Sequence, residues 1–234
     1  MRLLSIDWIE KDLPSSAEDG YGSSSYLPLS ELAKEAGGIV FDGADQVLMK
    51  PVIVYFYSGR MDEEKLEKTE RKMFGNDDLA IATKFYRCLR IDADQISSEK
   101  IRALYVKKLP TLYVLNAEGK VLARKEGALS APSILGELKR AYKKVHGVNL
   151  APRIKSFSRF LDRLDKASDK VAELRARLAA AEERLARKET PRNKKKVQAL
   201  LEQVEKAEEA LAALETEKEK LLLPPTRKEV ARRR

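Results

Sequence analysis

The side chains that could do chemistry in this sequence are few and scattered: one cysteine, Cys88; one histidine, His146; an acidic triplet, Asp62-Glu63-Glu64; and two basic runs late in the chain. A single thiol can form neither an intrachain disulfide nor a multi-cysteine metal site. Cys88 lies in Arg87-Cys88-Leu89-Arg90-Ile91, a strand-like run where an isolated thiol serves as a small buried hydrophobe rather than a reactive thiolate. His146 closes an amphipathic stretch beside Lys143 and Lys144, where an imidazole can complement the last carbonyls of a helix. No second histidine or serine pattern accompanies it to build a triad. The acidic triplet suits the positive end of a helix dipole, at about 0.3–1 kcal/mol for each acid, whereas three consecutive helical residues do not face one cation. No catalytic residue, metal ligand or cofactor is expected.

The elements that must position these residues change character along the chain. Residues 1–46 read as an N-terminal arm, with an apolar patch from Leu3 to Ile9, a Ser- and Gly-rich stretch from Pro14 to Ser25, and a short helix over Leu27 to Ala36. Ile39 to Phe41 suits a first short strand. From Lys50 strands and helices alternate. Val52–Tyr57 is an almost unbroken apolar run, as in a strand covered on both faces. Asp62–Phe74 reads as a charged helix, Asp77 or Asp78 as the cap of a short helix through Phe85, and Cys88–Ile91 as a second central strand. Ser97–Tyr105 is a short helix, Thr111–Leu115 and Lys120–Lys125 a hairpin, and Ser130–His146 an amphipathic helix that Gly147 terminates. The order β-α-β-α-β-β-α, a parallel pair followed by an antiparallel hairpin and a closing helix, fits few compact α/β folds.

Three stretches resemble the thioredoxin superfamily across residues 39–147. Lys50-Pro51-Val52-Ile53-Val54-Tyr55-Phe56-Tyr57 is similar to the strand leading to that family's active site, Tyr105-Val106-Lys107-Lys108-Leu109-Pro110-Thr111-Leu112 to the segment holding its cis-proline, and Glu126-Gly127-Ala128-Leu129-Ser130 to the entry of its last helix. The resemblance implies an α/β thioredoxin-like fold, a central mixed sheet flanked by helices, with a cis bond before Pro110 in place of an ordinary trans proline opening a strand. It also places Met61-Asp62-Glu63-Glu64 on the family's C-x-x-C motif, so both sulfur positions are lost. A thioether cannot become a thiolate nucleophile and a carboxylate cannot resolve a mixed disulfide. Tyr55 stands where the family commonly has a buried acid that assists proton transfer. What the resemblance leaves is a peptide-docking groove at Tyr57, Met61, Glu64, Leu109 and Pro110, since the family binds extended substrates beside its cis-proline.

Beyond Phe157 the apolar spacing alternates between three and four residues: Phe157, Phe160, Leu164, Ala167, Val171, Leu174, Leu178, Ala181 and Leu185 in one arm, then Val197, Leu200, Val204, Ala207, Leu211, Leu214 and Leu221 in another. This heptad pattern predicts an all-α antiparallel coiled-coil hairpin over residues 153–223, turning at 189–195 around Pro191. Facing residues would have numbers adding to 385, for instance Leu178 with Ala207 and Ala181 with Val204. Each arm would run about 45–55 Å and project from the body. Phe157 and Phe160 lack facing residues and would pack either on the body or on a second copy.

Charge is uneven too. Residues 1–150 hold 23 Lys and Arg against 22 Asp and Glu, while 151–234 hold 23 against 15, so the last third carries 8 of the 9 net positive charges. The turn holds Arg187, Lys188, Arg192, Lys194, Lys195 and Lys196; a tail over 224–234 holds Arg227, Lys228 and Arg232 to Arg234. Either run is a solvated charge patch or a contact for phosphates or an acidic protein face; the absence of aromatics disfavours base stacking. No apolar run suits a signal peptide or a membrane span, which predicts a cytoplasmic protein. The expected function is that of a non-catalytic interaction or scaffold protein with a protein partner. The alternatives are a nucleic-acid or ribosome-associated factor acting through the basic turn, and a monothiol redox protein using Cys88. Sequence leaves the oligomeric state open.

Overall fold

The computed structural model describes residues 5–10, 41–42, 45–46, 50–96 and 99–225. The expected helix over Leu27–Ala36 and the basic tail from Arg227 lie outside them. The described residues form two compact units, one holding those up to Ile154 together with 223–225, the other Lys155–Leu222.

The first unit is built on a five-stranded mixed sheet. Its strands are β1 (Trp8–Glu10), β4 (Val52–Tyr57), β5 (Arg87–Asp92), β6 (Thr111–Leu115) and β7 (Val121–Glu126), in the order β1-β5-β4-β6-β7. β1 and β4 both run parallel to β5, whereas β6 runs antiparallel to β4 and to β7. A two-residue ladder pairs β2 (Phe41–Asp42) with β3 (Asp45–Gln46). Val52 to Phe56 are all buried, as their apolar run requires of a strand covered on both faces. Val52, Val54 and Phe56 join Leu89, Ile91 and Tyr113 in one cluster against Ile96 and Val106. Tyr55 turns the other way, against Trp8 and Phe74, with ring centroids 5.4 and 5.2 Å away.

The helices around this sheet are α1 (Glu63–Phe74), α2 (Asp77–Thr83), α3 (Glu99–Tyr105) and α4 (Ala131–His146). Asp62 caps α1 by accepting from the Lys65 amide. Asn76, one residue before the expected acids, caps α2 by accepting from the Leu79 amide at 3.0 Å; Asp77 and Asp78 instead occupy its first turn, where their charges favour the dipole. Pro132 sits in the first turn of α4, where its missing N–H costs nothing, and Gly147 ends the helix in the left-handed conformation at φ 69°. α4 packs on α1, α2, β6 and β7, and Tyr86 ties to it by donating to the Leu138 carbonyl at 2.5 Å.

The end of the apolar patch expected over Leu3–Ile9 joins the sheet: Trp8–Glu10 adds a parallel edge strand to β5, Trp8 packs on Tyr55 and Phe74, Asp7 pairs with Lys84 at 2.8 Å and Glu10 with Arg90 at 2.9 Å. One expectation needs correction. His146 does not cap the carbonyls of its helix. It is buried, neither ring nitrogen has a hydrogen-bond partner among the described residues, and the imidazole packs 4.4 Å from the Tyr142 ring.

The second unit is the helical hairpin. α5 (Leu150–Arg187) and α6 (Pro191–Leu222) are joined by only three residues, so the turn is tighter than the expected 189–195. Proline is tolerated at the first helical position because its missing N–H would have no helical partner there, and Pro191 opens α6 instead of lying in a loop. Thr190 accepts from the Asn193 amide at 3.2 Å through its hydroxyl, and the Asn193 side chain donates to the Lys188 carbonyl at 2.8 Å. The ion pairs Arg163–Glu217 and Arg175–Glu208 run between the arms, and Leu174, Ala181, Leu200 and Val204 form the buried seam with Leu178, Val197 and Ala207 packed against it.

Candidate functional site

β4 delivers the chain to the loop Ser58–Met61 at the same end of the sheet as Pro110, because Phe56 faces Thr111 in the β4–β6 ladder. The Leu109–Pro110 bond is cis. Two aspartates from the end of β5 hold this loop. Asp92 accepts from the Gly59 amide at 2.8 Å and from the Asp94 amide at 2.9 Å. Asp94 accepts from the Ser58 hydroxyl and the Arg60 amide, and pairs with Arg102 at 3.0 Å. The Ser58 hydrogen bond, assisted by the Arg60 amide and the Arg102 charge, holds the Asp94 carboxyl below the usual carboxylate range. A Cβ at position 59 would stand 2.0 Å from an Asp92 oxygen, so any larger residue there must push the Asp92 carboxylate aside. Met61 closes the loop with its amide on the Ser58 carbonyl at 3.2 Å.

Beside the loop, between α1 and β5, lies a cleft of about 510 Å³. Tyr57, Met61 and Leu66 supply its apolar lining; Glu63, Glu67 and Glu70 project from α1, and Asp92 from β5. Arg90 alone opposes these acids. It bridges Glu10 and Glu70 at 2.9 and 2.8 Å and lies 4.2 Å over the Tyr57 ring. Of the residues expected to form a groove, Tyr57 and Met61 line this cleft, whereas Glu64, Leu109 and Pro110 are not on its wall. Glu64 is exposed on α1, and Leu109 packs against the sheet cluster. The acids that do line it were missed in the sequence. Their spacing of i, i+4 and i+7 around Leu66 would have placed Glu63, Glu67 and Glu70 on one helix face.

Sulfur chemistry has little to work with at the loop. Cys88 faces Ile53 in the β4–β5 ladder while Tyr57 faces Asp92; four residues of strand put Cys88 about 13 Å from the loop end. The thiol is buried, donates to the Thr83 carbonyl at 3.7 Å, and is pushed up to about 12, chiefly by burial and then by Asp7. Tyr55 is fully buried, and burial followed by the Glu70 charge raises its phenol far above neutrality, so it cannot exchange a proton near pH 7.

On the second unit, the cations expected to meet an anionic partner are gathered around the three-residue turn. Arg187 ends the first arm, Lys188 opens the turn, and Arg192, Lys194, Lys195 and Lys196 lie at the start of the second arm. Arg187 pairs loosely with Glu183 at 3.8 Å and Lys194 with Glu189 at 2.5 Å.

Among the described residues, no helix is long and apolar enough to cross a membrane and no three metal-ligating side chains gather. No family model matches this chain, and no curated protein matches it. Among solved structures, the crystal structure of thioredoxin F from spinach chloroplast, in its short form, is similar to it at 17% identity, over 60% of this chain and 98% of that one, with a TM-score of 0.35. The strand order and the two parallel and two antiparallel pairings, with helices flanking the sheet, give the body of this chain a thioredoxin-like fold.

Proposed function

We propose that the chain is a cytoplasmic, non-catalytic docking protein that holds partner proteins through its body and its coiled-coil hairpin. The observation that carries this reading is where sulfur lies. The loop that would need a thiolate holds Met61 and no cysteine, and the only thiol is buried on β5, raised to about 12. A thiol so raised contributes almost no nucleophile at neutral pH. The cleft beside Met61 combines an apolar lining with an acidic rim, which suits recognition of an extended peptide better than turnover of one.

Reduction of insulin by dithiothreitol tests the catalytic half of this reading. The rate should equal that without protein and stay there in Cys88→Ser; a catalysed rate that Cys88→Ser abolishes would overturn it. Affinity capture tests the docking half. A protein retained by the full chain should be lost when Met61→Arg and Glu67→Arg are introduced together, and retention by that variant would remove the cleft from the proposal.

A further inference from the structure

The shaft of the hairpin neutralises its own charge. Arg163 pairs with Glu217 and Arg175 with Glu208 across the arms, and Arg177 with Glu173 along α5. Over residues 202–219, α6 carries seven glutamates and two lysines, and two of the glutamates, Glu208 and Glu217, meet arginines of α5. The turn is built differently. Residues 184–196 hold seven cations and one acid. Arg184, Lys188, Arg192, Lys195 and Lys196 make no ion pair among the described residues, and Arg187 keeps 82% of its side chain exposed.

The placement of these cations runs against the stability of the hairpin. Four of them occupy the opening turns of α6, whose first turn has no acid. A helix N-terminus favours negative side chains and disfavours positive ones, and Arg192 with Lys196 is a like-charge pair at i,i+4. The turn is nevertheless well fixed by Thr190 and Asn193. Local rules broken at one ordered place, and obeyed along the rest of the hairpin, indicate a demand from outside the fold.

We propose that this tip binds the phosphate backbone of a nucleic-acid duplex. Between Ala186 and Val197 the only apolar residue is Pro191, so the tip offers no anchor for the desolvated centre of a protein interface, nor an apolar face to enter a lipid headgroup layer. It has no aromatic ring on which unpaired bases could stack. Dense cations alone suffice for phosphates, where affinity comes from counterion release and carries no sequence preference. The surface is separate from the cleft beside Met61, and the two proposals stand or fall independently.

Fluorescence anisotropy of the full chain with labelled 20-base-pair duplexes of two unrelated sequences, as RNA and as DNA, tests this. Five unpaired cations predict a slope of about −4.5 in log affinity against log salt, or about a 500-fold loss between 50 and 200 mM KCl. Both sequences should bind equally, and the RNA and DNA arms report which duplex is preferred. The variant Lys194→Glu, Lys195→Glu, Lys196→Glu should bind at least 100-fold more weakly while its far-ultraviolet helical signal is unchanged or larger, because glutamate suits a helix start. If helicity falls instead, the milder Lys195→Gln, Lys196→Gln pair replaces it and should reduce the slope by about 2. The proposal is overturned by absence of duplex binding at 50 mM KCl, by binding insensitive to salt or to both variants, or by polyglutamate competing as well as duplex at equal charge.

Discussion

His146 is the side chain whose chemistry the fold most opposes. Burial, and then the nearby charge of Arg153, lower the imidazole from 6.5 to about 4, and among the described residues neither nitrogen has a partner that would stabilise the cation. The unfolded chain therefore takes up a proton near pH 6.5 that the folded chain refuses until about pH 4. Stability is full above pH 6.5 and declines as pH falls through that window, by up to about 3 kcal/mol from this group. Urea unfolding at pH 7.0 and 4.5 should show the decline, and His146→Phe should remove most of it without loss at pH 7. Cys88 makes a kinetic counterpart. With its thiol buried and raised to about 12, labelling by a thiol reagent at pH 8 should be at least 1,000-fold slower in the folded chain than in urea. Gly59→Ala would drive a methyl into Asp92, the group that holds the loop. A loss of about 1–3 kcal/mol in the same unfolding measurement is expected.

Among the elements, the hairpin gives the sharpest test of register. With facing positions adding to 385, cysteines introduced by Leu178→Cys and Ala207→Cys in a Cys88→Ser background should oxidise to a disulfide more readily than Leu178→Cys with Leu200→Cys. The same turn makes Thr190→Ala cost about 1 kcal/mol, through loss of the bond to the Asn193 amide. The hairpin itself was legible because a heptad seam is a local signal repeated many times. The bounds of its turn were not, since they depended on whether Pro191 stood in the loop or opened the helix, a difference of a few residues that periodicity does not record. In the body, β4 was legible from its apolar run alone. β1 was not: three residues carry too little pattern, and what places them is Trp8 against Tyr55 and Phe74, far away in the chain. The cleft escaped for the same reason. Arg90, Asp92 and the glutamates of α1 meet only after strand and helix have packed.

For the molecule as a whole, two compact units of unlike construction imply that unfolding is not a single event. The sheet unit buries strands on both faces, while a two-helix seam leaves most of each arm wet, with the glutamates of α6 exposed. Amides of β4 and β5 should exchange with deuterium much more slowly than those of the hairpin shaft, and the calorimetric enthalpy should exceed the van't Hoff value. The pairing of Trp8 with Cys88 also sets an order of events during synthesis. The partner of the first strand is 80 residues downstream, which at roughly 5–20 residues per second is a delay of about 4–16 s after Trp8 is polymerised. Throughout that interval the nascent segment must be kept from pairing elsewhere, because Trp8–Glu10 has no sheet edge to join until β5 has been made.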